Sequence, residues 1–116
     1  MVTAPAAGDL VWLDFAPQAG SEQAGRRPAL TLSPASYNDK VGLGLFCPVT
    51  RQAKGYPFEV ELPGGLSLSG VVLVDQIKSL DWRVRRLEIV EPVPASTLRE
   101  VVLKLQRLLP ETTAAD

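Results

Sequence analysis

The chain is organised around one stretch, which runs Gly20-Ser21-Glu22-Gln23-Ala24-Gly25-Arg26-Arg27-Pro28-Ala29-Leu30. Glycine tolerates positive φ angles, so the two glycines indicate a loose polar loop. Proline suits the first position of a strand and keeps the preceding residue extended, so Pro28 marks the point where loop becomes strand. The stretch predicts a flexible polar flap joined to a rigid strand, with Arg27 at the junction.

An arginine at such a junction is well suited to bind a phosphate, because the guanidinium presents five donors in a planar fork. A simpler interpretation is a hairpin loop whose two arginines are only solvated. These residues alone leave both interpretations open.

Short strands are predicted on both sides of the flap. Residues 10–15 are rich in β-forming side chains, and residues 29–33, 42–49, 58–62, 71–74 and 87–93 are similar runs between turn residues. In the run 58–62 the apolar residues alternate with Glu59 and Glu61, which places both glutamates on one face. Residues 33–40 are predicted to connect two strands, with at most one short helical turn.

From Ala95 the hydrophobic period becomes that of a helix. The apolar positions are Leu98, Val101, Val102, Leu105, Leu108 and Leu109. Thr97 and Glu100 have the spacing of a capping box at its start, and Pro110 is expected to end it.

Several short strands closed by one amphipathic helix predict a mainly β fold, a small bent antiparallel β-barrel with a C-terminal α-helix. With 116 residues the chain is expected to form a single domain over 1–116, with residues 1–7 and 110–116 flexible.

Composition limits the classes of protein. Apolar residues make up 46%, which is typical of a folded chain, and no apolar run reaches the length of a membrane span. The apolar start lacks a basic region, so no secretory signal is expected. Cys47 is the single cysteine and is predicted to be a small buried side chain in a strand, which fits a reducing cytoplasm.

Charge is unevenly distributed along the chain. The formal net charge is −1, yet residues 26–86 hold nine basic and five acidic residues, a net of +4. A basic central segment between acidic flanks suits a nucleic-acid partner better than the total charge does, although scattered surface charges would give the same count.

The chain contains no histidine. This excludes ribonuclease chemistry that uses an imidazole acid–base pair, Ser-His-Asp hydrolysis, and metal sites that contain histidine. A protein of this composition that cleaves RNA has arginine, carboxylate, hydroxyl and backbone groups to use.

Four stretches resemble the MazF/PemK family of toxin endoribonucleases. They are Gly8-Asp9-Leu10-Val11-Trp12-Leu13-Asp14-Phe15, residues 20–28, Lys54-Gly55-Tyr56-Pro57-Phe58-Glu59-Val60 and Asp75-Gln76-Ile77-Lys78-Ser79-Leu80-Asp81-Trp82-Arg83. They occur in order and with family-like spacing over roughly residues 8–109. The resemblance implies the plasmid-maintenance-toxin barrel, which is similar in shape to the Src-homology-three barrel.

The resemblance also implies an activity, the cleavage of single-stranded RNA at short sequences by attack of the ribose 2′-hydroxyl. The products are a 2′,3′-cyclic phosphate or 3′-phosphate and a 5′-hydroxyl. Arg27 and Thr50 match the essential arginine and threonine of the family, and Glu22 is a candidate general base. Arg26 is expected to contribute charge alone. The reaction calls for no metal and no cofactor.

Six further residues are predicted to contact RNA: Ser21, Gln23, Lys54, Tyr56, Gln76 and Lys78. Lysines suit phosphates, an amide can pair with a base edge, and a tyrosine can stack on a base. Tyr56 before a proline is equally consistent with the ordinary start of a strand. Trp12 is predicted to lie in the core, while Trp82 is left open between core, dimer interface and partner surface.

The implied partners are single-stranded RNA, a second copy in a symmetric homodimer, and a cognate MazE-like antitoxin with an acidic disordered tail. No membrane is implied, and DNA enters only indirectly through the antitoxin complex. Two alternatives use the same fold: a CcdB-type toxin that binds and poisons gyrase without catalysis, and an inactive binding barrel. The arginine and threonine motifs favour the nuclease over both.

Overall fold

The fold was analysed in a computed structural model that describes residues 3–15 and 25–111. Within these ranges the strands are β1 (Asp9–Phe15), β2 (Gly25–Thr31), β3 (Gly44–Thr50), β4 (Glu59–Glu61), β5 (Val71–Leu73), β6 (Lys78–Leu80) and β7 (Glu88–Pro92). The α-helices are α1 (Ala35–Val41) and α2 (Ala95–Gln106), and short 3₁₀ turns cover Val74–Gln76 and Trp82–Val84.

The strands form one sheet in the order β4-β5-β3-β2-β1-β7, and β6 pairs with β3 outside this path. Every pair is antiparallel. A mainly antiparallel sheet with a C-terminal helix therefore confirms the predicted class, whereas closure into a barrel stays a prediction. Of the described helices, none is long and apolar enough to cross a membrane.

The sheet has an apolar cluster on each face, because successive side chains of a strand point to opposite sides. Leu10 of β1 joins Leu30, Val72 and Val101 in a cluster that includes α2. The cluster on the other face contains Phe46 and Trp82 with three alternate residues of the same strand, Val11, Leu13 and Phe15. The β1–β7 ladder shifts its register between Leu10 and Val11, two residues that face opposite sides of the sheet.

Several element boundaries differ from those predicted. β2 begins at Gly25 rather than at residue 29, because pairing with β1 extends through Arg27 and Arg26. The connector contains a seven-residue helix, α1, and β6 was not predicted. The proposed capping box is wrong: Pro94 precedes α2 with no side-chain cap, and Thr97 is buried inside its first turn.

A buried asparagine joins α1 to distant parts of the chain. The Asn38 side-chain amide donates to the carbonyls of Pro5 (2.8 Å) and Ser33 (3.0 Å), and Ser33 Oγ donates to Asn38 Oδ1 (2.6 Å). Trp82 Nε1 donates to the Asn38 carbonyl (3.0 Å), and Trp82 is 1% exposed. Trp82 is therefore a core residue. Pro5 is also buried, while Met1, Val2 and residues 112–116 lie outside the described residues.

Three arginines contact Asp14 at the end of β1. Arg86 Nε and Nη2 donate to its carboxylate at 2.7 and 2.9 Å, and Arg26 Nη1 lies 3.5 Å away. Arg85 Nη1 donates to the Asp14 carbonyl at 3.0 Å. Hydrogen bonding and charge from Arg86 lower the pKa of Asp14, with Arg26 adding to the effect. These contacts fix the strand ends beside the flap.

The turn between β4 and β5 ends at a glycine, and any side chain at this position would clash with the neighbouring backbone. Gly70 has φ 125°, and its carbonyl accepts from Leu62 N at 2.9 Å. A Cβ at Gly70 would lie 2.3 Å from the carbonyl oxygen of Thr50. Close contact between this turn and the end of β3 therefore depends on glycine.

We expect Gly70→Ala to lower the free energy of unfolding by roughly 2–4 kcal/mol, because strained backbone and a backbone clash occur together. Urea unfolding measures the change. Gly64→Ala is the matched control in the same turn, since its Cβ would meet nothing within 4 Å, and it should change stability by no more than about 0.5 kcal/mol. Equal stabilities of the two variants would contradict the contact.

Asp14→Asn is expected to lower the melting temperature at pH 7, because Arg86 and Arg26 lose a charged acceptor. A carboxyl whose folded pKa is lowered stabilises the fold above its ordinary value of 3.8 and loses that effect as pH falls through the folded pKa. The difference between wild type and variant should therefore shrink below about pH 4. Thermal melts over pH 2–7 test this, and a constant difference would refute it.

Candidate active site

Two strands separate at a pair of prolines. β2 and β3 are paired at Ala29↔Pro48, Leu30↔Cys47 and Thr31↔Phe46. Proline has no backbone N–H to donate to a ladder, so Pro28 and Pro48 stand where pairing ends. Arg27 lies two residues beyond Ala29 and Thr50 two residues beyond Pro48, and both line the same cavity although they are 23 positions apart in the sequence.

The separated strand ends form one wall each of a groove of about 480 Å³, here called the arginine groove. Its lining residues are Trp12, Arg26, Arg27, Pro28, Val49, Thr50, Arg51, Gln52, Ser67, Leu68 and Ser69. Three of them are arginines, and none of these described lining residues is acidic. The groove is therefore suited to hold an anion.

Thr50 is half-buried at the last position of β3 and pairs with Val71 of β5. Its Oγ1 accepts a hydrogen bond from the backbone N–H of Gln52 at 3.2 Å. Accepting this bond turns the hydroxyl hydrogen away from the amide, so it can be donated to another oxygen. The Gly70 backbone lies close against the Thr50 carbonyl.

The two adjacent arginines have different surroundings. Arg26 Nη1 donates to the carbonyl of Arg86 at 2.8 Å, and Arg26 Nη2 lies 3.5 Å from Glu88. With Asp14 these contacts tie Arg26 to β1 and β7. Arg27 is half-buried on β2, where it pairs with Leu13.

A second cavity of about 250 Å³, here called the tyrosine pocket, adjoins the arginine groove. It is lined by Thr50, Gln52, Lys54, Tyr56, Glu59, Leu73, Asp75 and Gln76. Thr50 and Gln52 belong to both linings, so the two cavities adjoin, and together they are called the cleft. A chain-like ligand seated on Thr50 would extend into both.

The cleft collects five of the nine residues predicted to act on RNA. Arg27 and Thr50 line the arginine groove, and Lys54, Tyr56 and Gln76 join Thr50 in the tyrosine pocket. Lys78 is half-buried on β6 and lines neither. Ser21, Glu22 and Gln23 lie outside the described residues. The roles assigned to all nine stay predictions.

Trp12 was predicted to lie in the core, and this was wrong. It is half-buried and lines the arginine groove beside Arg27 and Pro28, its partner across the β1–β2 ladder. The sequence does not distinguish Trp12 from its buried neighbours, because β1 is an apolar run with buried residues on both faces of the strand.

Sequence reasoning also missed the wall formed by residues 67–69. Ser67 N donates to Glu91 Oε2 at 2.5 Å, and hydrogen bonding from the side chain and then the backbone of Ser67 lowers the pKa of Glu91. The contact joins the 63–67 turn to β7, two segments whose sequences carry no sign of each other. A carboxylate outside the arginine groove thus helps to position its wall.

The acidic side chains and the single thiol were also compared with the needs of metal binding and thiol chemistry. Within residues 3–15 and 25–111, no three His, Cys, Asp or Glu side chains converge in a way that could hold a metal ion. Cys47 is buried, as predicted, and desolvation followed by the charge of Asp75 raises its pKa to about 12. A thiol with that pKa is not a nucleophile near neutral pH.

Comparison with known proteins identifies the family. PemK-like, MazF-like toxins of type II toxin-antitoxin systems match residues 6–109. The endoribonuclease toxin MazF of Escherichia coli K12 is 58% identical over 81 residues, which cover 70% of this chain and 72% of that protein.

Solved structures agree with this similarity. MazF (Form-I) from Deinococcus radiodurans superposes with a TM-score of 0.87 at 62% identity, covering 90% of this chain and 96% of that one. MazF in the MazE-MazF (Form-II) structure from the same organism gives 0.84 at 60% identity, covering 94% and 98%. By sequence and by fold, the chain belongs to the MazF/PemK family of toxin endoribonucleases of type II toxin–antitoxin systems.

Proposed function

We propose that this chain cleaves single-stranded RNA at short specific sequences, without a metal ion, by attack of a ribose 2′-hydroxyl on the adjacent phosphorus. The single observation that carries the proposal is that Arg27 and Thr50 line one cationic groove. A guanidinium and a hydroxyl beside each other form a donor pair for the oxygens of a phosphate.

The reaction has three requirements. The 2′-hydroxyl must lose its proton, the leaving 5′-oxygen must gain one, and the charge on the pentacovalent phosphorus must be stabilised. Attack breaks the bond from phosphorus to the 5′-oxygen and leaves a 2′,3′-cyclic phosphate, or a 3′-phosphate after hydrolysis, with a 5′-hydroxyl. Side chains of the kinds found here supply all three.

Arg27 binds the phosphate, stabilises the phosphorane and protonates the leaving oxygen in this proposal. Thr50 is the second donor, because its oxygen already accepts from Gln52 N and its hydrogen is directed elsewhere. Removing one donor from such an oxyanion site typically costs about 3 kcal/mol of barrier.

The general base is assigned to Glu22 on sequence grounds. A carboxylate accepts a proton readily near neutrality, whereas a guanidinium stays protonated. Arg26, tied to Asp14 and Arg86, contributes positive charge and structure in this scheme.

RNA is proposed to follow the cleft. Lys54 and Lys78 attract phosphates, Gln76 pairs with a base edge, and Tyr56 stacks on a base. Tyr56 is 59% exposed in the tyrosine pocket, so its ring is open to a ligand. Ser21 and Gln23 are proposed to contact RNA from the flap.

Two protein partners belong to the proposal. One is a second copy of the chain in a symmetric homodimer, which would bury further apolar surface of this small fold. The other is a MazE-like antitoxin, supported by the MazE-MazF structure from Deinococcus radiodurans. A cationic groove that accepts a phosphate chain also accepts a chain of carboxylates, so antitoxin and RNA would compete.

Arg27→Ala and Thr50→Ala are expected to retain the fold and to lower kcat for RNA cleavage by roughly 10²–10³-fold each, because each removes a phosphorane donor. Thr50→Ser should recover much of the loss, since the hydroxyl is retained. Gel-based cleavage of a long RNA measures kcat.

Arg99→Ala on α2 is the charge-matched control, because Arg99 is exposed and lies outside both cavity linings. It should cleave at nearly the wild-type rate. Wild-type cleavage by Arg27→Ala or by Thr50→Ala would remove that residue from the mechanism.

Cleavage is expected to proceed in excess chelator and to leave 5′-hydroxyl ends, because no step requires a metal. End groups are assigned by testing whether the product can be phosphorylated at its 5′ end without prior dephosphorylation. A 5′-phosphate product, or strict dependence on a divalent cation, would overturn the mechanism.

RNA affinity should also fall with salt, with a log–log slope of about 0.7 per neutralised phosphate.

A further inference from the structure

The loop of residues 51–57 links the candidate catalytic threonine to β4. All seven of its residues are exposed, yet the loop supplies Gln52, Lys54 and Tyr56 to the tyrosine pocket. An exposed loop of this length with few buried contacts is expected to sample many conformations unless specific bonds hold it.

One carboxylate supplies those bonds. Lys54 N lies 3.2 and 3.1 Å from Glu59 Oε1 and Oε2, and Gly55 N donates to Oε1 at 2.9 Å. Gly55 has φ 79°, a left-handed conformation that allows two successive amides to point at one acceptor. Hydrogen bonds to an ionised acceptor are roughly twice as strong as neutral ones.

The carboxylate is itself held by rigid parts of the fold. Glu59 pairs with Leu73 across the β4–β5 ladder, and its carbonyl accepts from Lys104 Nζ at 2.9 Å. Its backbone N–H donates to the Tyr56 carbonyl at 3.1 Å, closing the loop. The loop is thus attached to the sheet and to α2 through one residue.

The position of Glu59 is unfavourable for RNA binding if charge alone is considered. It lines the tyrosine pocket, where a negative charge repels phosphates. Glu61 lies on the same face two residues further along and is exposed, and among the described residues its side chain makes no hydrogen bond or ion pair. The two glutamates look equivalent in the sequence and differ in the structure.

We infer that Glu59 is a positioning residue, which holds the 51–57 loop so that Lys54 and Tyr56 face the RNA beside Thr50. The inference rests on the proposed function for its effect on RNA, but its effect on the loop does not. Glu59 then acts through backbone geometry, with its carboxylate accepting hydrogen bonds from two successive backbone amides.

The test compares four variants that separate the length of the side chain from its charge. Glu59→Ala loses both, and Glu59→Asp keeps the charge but is one methylene too short. Glu59→Gln keeps an oxygen at the position of Oε1, which accepts from both amides. Glu61→Ala is the matched control for charge on the same strand.

Amide hydrogen exchange of the protein without RNA is the first measurement. Exchange at Lys54 and Gly55 should become at least about tenfold faster in Glu59→Ala and Glu59→Asp. It should rise less in Glu59→Gln, which keeps one neutral acceptor oxygen, and stay near wild type in Glu61→Ala. Unchanged exchange in Glu59→Ala and Glu59→Asp would overturn the inference whether or not the protein cleaves RNA.

Steady-state cleavage of an RNA containing a mapped cut site is the second measurement. KM should rise about tenfold in Glu59→Ala and Glu59→Asp, with kcat within about twofold. A charge effect alone predicts the opposite sign, since losing a negative charge would tighten RNA binding. A KM in Glu59→Ala at or below the wild-type value would therefore overturn the inference, and absence of cleavage by the wild type would instead overturn the proposed function.

Discussion

The site depends on the separation of β2 and β3 beyond Ala29 and Pro48. Paired strands lie about 5 Å apart, which leaves no room for a ligand between their backbones. Prolines at the junction cannot extend the ladder, so the two strand ends diverge and their side chains line a groove. A rigid sheet thereby presents Arg27 and Thr50 on either side of a space open to solvent.

Two carboxylates hold the backbone segments that form walls of the cleft. Glu91 accepts from the Ser67 amide on one wall, and Glu59 accepts from the Lys54 and Gly55 amides on another. In both places a carboxylate fixes loop backbone and leaves the loop side chains facing the cleft. Glu91 lies outside the arginine groove, whose described lining holds three arginines and no acidic residue, whereas Glu59 lines the tyrosine pocket together with Asp75.

The arginines in the basic middle of the sequence have two kinds of surroundings. Arg83, Arg85 and Arg86 form ion pairs with Asp39, Asp81 and Asp14 away from the cleft. Arg27 and Arg51 line the arginine groove, and Arg26 joins them while bonded to Asp14. The basic middle of the sequence thus divides into a structural part and a part that faces the cleft, a division that counting residues does not show.

The sequence by itself determined the mainly antiparallel sheet, the C-terminal helix, the burial of Cys47, the lack of imidazole and the family. These follow from side-chain period and residue type, which act over a few neighbours. Only the tertiary structure decided that Trp12 faces the groove, that Trp82 is core, that β6 forms, and that Glu59 differs from Glu61. Each of these depends on which distant segments meet across the sheet. Those contacts follow from the strand register, which is selected because both faces of the sheet must be buried.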